Sequence, residues 1–69
     1  MDRTPVASSD IAEIGYDKEA IVLEILFHSE GIYQYFDVPE WVYQGLLTAE
    51  SVGKFFHANV KDIFRYTRL

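Results

Sequence analysis

Two apolar stretches flanking His28-Ser29-Glu30-Gly31 constrain this chain more than any other feature. From Ala20 to Phe27, Ile21, Leu23, Ile25 and Phe27 alternate with Val22, Glu24, Leu26 and His28. That period of two puts each set on one face of a strand. After Gly31 comes Ile32-Tyr33-Gln34-Tyr35-Phe36, closed by Val38-Pro39. Gly is cheap in the left-handed backbone region because it has no Cβ. The pattern therefore predicts a three-residue hairpin loop whose last turn residue, Gly31, is left-handed. This loop predicts His28 opposite Ile32, Phe27 opposite Tyr33 and Ile25 opposite Tyr35. Both tyrosines then join the Ile21/Leu23/Ile25/Phe27 face. A two-residue loop would send them to the Val22/Glu24/Leu26 face.

The segments around this hairpin complete a small α+β domain. Residues 1–7 read as a loose lead-in, with Pro5 favouring extended chain. Ile11 to Tyr16 reads as a strand, with Ala12, Ile14 and Tyr16 on one face. Asp37-Val38-Pro39-Glu40 is a helix-start signal, with Asp37 as the capping acid. A short helix is expected from Pro39 to about Leu47, packed through Trp41, Val42, Leu46 and Leu47. Gly45 weakens it by ~1 kcal/mol relative to Ala. Thr48 or Ser51 then caps a second helix. Val52, Phe55, Phe56, Val60, Ile63 and Phe64 follow its i, i+3, i+4 periodicity. The final stretch, Phe64 to Leu69, fits either the end of this helix or an extended segment. The expected fold is a three-stranded antiparallel β-meander followed by two α-helices (βββαα), in a single domain over residues 1–69.

Composition limits the chemistry. With 69 residues and no Cys, neither disulfides nor thiolate metal sites can staple the fold. Its 49% hydrophobic content, 16% of the chain being aromatic, supplies a core instead and excludes a disordered tail. No segment approaches the ~20 apolar residues of a membrane span, and the start has no apolar signal-peptide region. A cytoplasmic setting is the expectation. His28 and His57 are the only histidines, and neither is paired in sequence with a nucleophile or an orienting acid. No metal-ligand spacing or glycine-rich phosphate loop is present. The chain reads as non-enzymatic, with no cofactor and no small-molecule substrate.

Charge is unevenly distributed. The net charge is -5, which argues against a general electrostatic grip on nucleic acid. Yet residues 1–50 carry ten acids against Arg3 and Lys18, whereas Lys54, Lys61, Arg65 and Arg68 face Asp62 alone beyond them. On a helical wheel Lys54, His57, Lys61, Arg65 and Arg68 cluster opposite the apolar positions. Such a stripe can grip phosphates, although a basic helix face also arises as the solvated side of an amphipathic helix. Tyr33 and Tyr35 can stack on bases. In the predicted register, however, they serve mainly as core aromatics, with Tyr35 the one whose edge reaches a surface. Val22, Leu26, Ile32 and Phe36 fall on the other sheet face, a candidate surface for a homodimer or protein partner. Covering by the N-terminal segment, through Val6, competes with that reading.

Taken in order, Ser8-Ser9-x-Ile11, Gly15-Tyr16-Asp17, Phe27, Gly31, Tyr33-x-Tyr35, Val38-Pro39, Val42-Tyr43, Leu46, Ala49-x-Ser51-x-Gly53, Phe56 and Val60 resemble the KTSC domain, a small bacterial domain. The resemblance spans nearly the whole chain. It departs at His57, where the family often has Asn. The family takes its name from an extension of some lysyl-tRNA synthetases. The resemblance thus implies RNA, of tRNA-like structure, as a partner. The resulting expectation is an RNA-binding module that uses Lys54, His57, Lys61, Arg65, Arg68 and Tyr35. The alternative is an interaction module using Val22, Leu26, Ile32 and Phe36.

Overall fold

The computed structural model describes residues 1–69. Five strands form one antiparallel sheet in chain order: β1 Arg3–Pro5, β2 Ile11–Asp17, β3 Val22–Phe27, β4 Gly31–Phe36 and β5 Tyr66–Arg68. Two helices, α1 Glu40–Thr48 and α2 Val52–Asn59, lie between β4 and β5 in sequence. The fold is α+β with an antiparallel sheet and two helices, as expected, but the sheet has five strands rather than three.

The central hairpin forms around His28, Ser29 and Glu30, and Gly31 adopts φ 86°. An added Cβ at Gly31 would meet nothing closer than Arg68 Nε at 3.9 Å, so the conformation, not space, calls for glycine. Phe27 pairs with Gly31, Ile25 with Tyr33 and Leu23 with Tyr35. The expected pairs were two residues out of step. A shift of two preserves the face, so both tyrosines still join Leu23, Ile25 and Phe27.

Both added strands come from stretches with weak sequence signals. The lead-in residues supply β1, which pairs Arg3 with Gly15 and Pro5 with Glu13. Arg3 anchors it there, reaching Glu13 at 2.9 Å and Glu24 at 2.6 Å. In β2 the register slips between Ile11 and Glu13, a bulge at Ala12. The bulge brings Ile11 to the core face beside Ile14, both fully buried, with Tyr16 packed against the core, so only Ala12 drops out of the expected Ala12-Ile14-Tyr16 set. Ile21, expected within the Ala20–Phe27 strand, lies in the turn before β3 at φ 59° and is 44% exposed.

The first helix starts at Pro39 without a side-chain cap. Asp37, the expected cap, has φ 58° and lies 3.7 Å from Arg65 instead. Trp41 is 62% exposed, so Val42 and Leu46 carry the packing of this helix without it. Ser51 caps the second helix, its hydroxyl accepting from the Lys54 N–H at 3.2 Å. That helix ends at Asn59 although the apolar periodicity runs on. The Val60 and Lys61 N–H groups both donate to the Phe56 carbonyl, and Asp62 turns the chain at φ 63°. Residues 65–69 then complete the β4 edge, with Phe36 N–H bonded to Arg65 O and Leu69 N–H to Ile32 O. An unpaired β4 edge would leave polar backbone groups open, and β5 satisfies them.

The core lies between the sheet and the helices. Ile11, Ile14, Leu23, Ile25 and Tyr35 meet Val42, Leu46, Val52 and Phe56, with Val38 and Val60 closing its ends. Gly45 is where the helices touch, because a Cβ there would collide with the Phe55 ring. Helix propensity alone would make Gly45→Ala stabilising by ~1 kcal/mol. Overpacking should reverse the sign, for a net loss of about 1–2 kcal/mol. Denaturant unfolding of Gly45→Ala, with and without Phe55→Leu to make room, would check this, and the double variant should recover most of the loss.

Candidate nucleic-acid interface

Pairing of β5 with β4 assembles an aromatic cluster. Tyr66 pairs with Tyr35 across the strands, and its ring lies 5.6 Å from those of both Tyr33 and Tyr35. The Tyr33 and Tyr35 rings are stacked at 6.4 Å. Phe56 closes on Tyr35 edge-on at 5.7 Å, and Phe27 meets Tyr33 and Phe56 edge-on at 5.3 and 5.5 Å. The Arg68 guanidinium covers the Tyr33 ring at 5.8 Å, close enough for a cation–π attraction.

Beside this cluster runs a groove of about 310 Å³ between α2 and the β3–β4 hairpin. Phe27, Tyr33, Tyr35, Phe56 and Tyr66 supply its aromatic surface, with Asp10, Glu30, Asp62, His57 and Lys61 among the polar residues around it. A second, shallower trough of about 620 Å³ shares Asp10, Gly53 and His57 with the first and extends along Ser8, Ser9, Ser51 and Lys54. The two adjoin across these shared residues, with the aromatic surface in one and a mostly polar lining in the other.

Tyr35 is the most enclosed of the three tyrosines, 5% exposed. Burial, together with the nearby hydroxyls of Tyr33 and Tyr66 and the carboxylates of Glu30 and Asp62, pushes its hydroxyl up to about 12. The hydroxyl has no hydrogen-bond partner within the protein and is not sealed from solvent, and Tyr35 is among the residues that line the groove.

Tyr35, His57 and Lys61 line the groove, and Lys54 lines the trough that continues it. Arg68 projects onto the groove wall at Tyr33. Arg65 does not join them. It lies over Phe36 at 5.3 Å, and Phe36 alternates with Tyr35 and so faces the other side of the sheet. The expected continuous helical stripe is therefore divided, because the helix ends before Lys61 and the two arginines lie in or beside a strand. Tyr66, Asp10, Glu30 and Asp62 did not emerge as site residues from the sequence. The alternation of Tyr66, Thr67 and Arg68 was the one local sign of a strand there.

Val22, Leu26, Ile32 and Phe36 do share the opposite sheet face, all partly exposed. A polar row crosses that face. Arg3 bonds Glu13 and Glu24, and Gln34 Nε2 donates to Glu24 at 2.9 Å. Glu24 is 6% exposed. Burial works to raise its pKa, but the Gln34 and Arg3 hydrogen bonds and the nearby positive charges outweigh it and hold the carboxyl below its usual range. Met1 and Asp2 lie against Gly15 on this face, whereas Val6 packs toward the core.

The Tyr35 environment has a measurable signature. An alkaline absorbance titration should show one of the five tyrosines ionising near pH 12. The folded pKa lies above the unfolded value of about 10. Its contribution to stability is therefore complete below about pH 10 and lost as pH rises toward the folded value. Tyr35→Phe should abolish the late transition. Ionisation of all five tyrosines together near the ordinary value would contradict the enclosure.

Three comparisons place the chain among known proteins. The KTSC domain family pattern matches residues 7–66. The crystal structure of a KTSC domain protein from Yersinia pestis superposes with a TM-score of 0.96 at 43% identity, over 99% of this chain and 96% of that one. An uncharacterised protein of Stutzerimonas stutzeri is 40% identical over 100% of this chain and 99% of its own length. A lysine–tRNA ligase of Trichormus variabilis is 38% identical over 88% of this chain, which corresponds to only 11% of the ligase. By sequence pattern and by three-dimensional structure, the chain belongs to the KTSC domain family.

Proposed function

We propose that this domain is a non-enzymatic RNA-binding module of the cytoplasm whose working surface is the channel between α2 and the β3–β4 hairpin. The observation that carries this reading is an aromatic groove adjoining a mostly polar trough, with Asp10, Gly53 and His57 lining both. Bases can stack on Tyr66 and Tyr33, and phosphates can reach Lys54, His57 and Lys61. Stacking tolerates sequence variation because every base has a π-face. The lysine–tRNA ligases that contain a similar segment act, as their name states, on tRNA, which supports RNA as the ligand class. The acids along the channel limit the electrostatic share of affinity, so the binding expected is shallow in its salt dependence.

The competing role, a protein or homodimer interface on Val22, Leu26, Ile32 and Phe36, has weaker support. The buried Glu24 and its partners interrupt that face, and charge-depleted centres are usual in stable interfaces.

Fluorescence anisotropy with a short single-stranded RNA at low salt tests the reading. Tyr66→Ala should weaken binding about tenfold, as loss of one stacking platform implies. Lys61→Glu should weaken it and flatten the salt slope by about 0.7. Arg65→Glu, on the other face, should leave affinity nearly unchanged, and so should Leu26→Asp. Absence of any RNA affinity for the unaltered protein would overturn the proposal. A dimer in solution that Leu26→Asp dissociates would favour the competing role.

A further inference from the structure

Phosphate is a poor occupant for the aromatic end of this channel. Asp10, Glu30 and Asp62 line it with Lys61 and His57, and Arg68 lies on its Tyr33 wall, so three carboxylates meet two permanent cations and one imidazole. Tyr33, Tyr35 and Tyr66 line the same space as those carboxylates, and Tyr66 is 58% exposed. The protein already places a planar, delocalised cation there, the Arg68 guanidinium on Tyr33 at 5.8 Å. A flat cation gains on such rings what a neutral ring does not, because the ring quadrupole attracts positive charge. Tyr35, 5% exposed, lines the same space, and its hydroxyl has no protein partner and is not sealed from solvent. At about 310 Å³ the groove is at the small end for ligand pockets and suits one ring system with its sugar outside.

From this geometry we infer that the groove receives a positively charged nucleobase, an N-methylated purine, with its ring against Tyr66 and Tyr33 and its charge facing Glu30 and Asp62. This rests on the RNA reading above and narrows it. The nucleotide enters base first. The carboxylates turn its phosphate away from the aromatic end, toward the trough, where Lys54 stands with Ser8 and Ser51 beside Glu50. An unmodified base occupies the groove by stacking alone and more weakly.

NMR titration of the full chain with N7-methylguanosine monophosphate and, separately, with guanosine monophosphate decides this. The methylated nucleotide should bind about tenfold more tightly, the scale of one partly desolvated cation–π contact. Amide shifts should centre on Tyr33, Gly53 and Tyr66. The preference should vanish in Asp62→Asn combined with Glu30→Gln, both exposed positions whose replacement leaves the core untouched. Asn is also accepted at the left-handed backbone of position 62. Equal affinity for the two nucleotides would overturn the charge preference and leave the RNA reading standing. Binding of tetramethylammonium or free arginine without either nucleotide would overturn it in favour of a plain organic-cation site. If neither nucleotide binds but single-stranded RNA does, the groove inference fails alone. If RNA fails as well, both fall.

Discussion

The positive φ of Gly31 is the constraint on which the rest of the molecule depends. It closes a three-residue loop, and that loop length sets the face on which every β4 side chain falls. With this parity, Tyr33 and Tyr35 lie over the helices beside Leu23 and Ile25. With the other parity, Gln34 would enter the core and the tyrosines would meet Glu24. The opposite face carries the consequence. Glu24 is buried there, paired to Arg3 and Gln34, and this row fastens β1 onto the sheet.

The second decisive event is the end of α2. An amphipathic pattern describes what a segment could bury as a helix, not how far the helix runs. Val60 reaches the core at the helix end, and continuing would carry Ile63 onward while leaving the β4 edge unpaired. The chain turns at Asp62 instead, and Tyr66 reaches the tyrosines of β4. The groove exists because of that turn. Its aromatic wall needs β5, and Asp62 on its rim is the turning residue.

Burial and function use the same aromatics here without conflict. Tyr35 is held by Phe56 and its strand neighbours, which costs it freedom and raises its pKa. Tyr66 is 58% exposed and pays little for an added ligand, since its ring is already oriented by Tyr33 and Tyr35. An enclosed tyrosine beneath and an exposed one above make a surface that is ordered before any ligand arrives. Arg68, stacked on Tyr33, is the one cation of this surface already committed.

Local chemistry was enough to read the central hairpin, the tyrosine face, a hydroxyl cap at Thr48 or Ser51 and the two helices from the sequence. Each rests on signals within a few residues, such as period-two alternation, a glycine at a left-handed position or a hydroxyl three residues before an N–H. The order of the KTSC-like residues was legible for the same reason. The β2 bulge, both edge strands and the groove were not. An edge strand of three residues has too little pattern of its own and forms because a neighbour offers unpaired backbone groups. The basic stripe shows the difference in one set of residues. Sequence spacing aligned Lys54, His57, Lys61, Arg65 and Arg68 on one helix face, and only the tertiary turn at Asp62 sent Arg65 to one side of the sheet and Arg68 to the other.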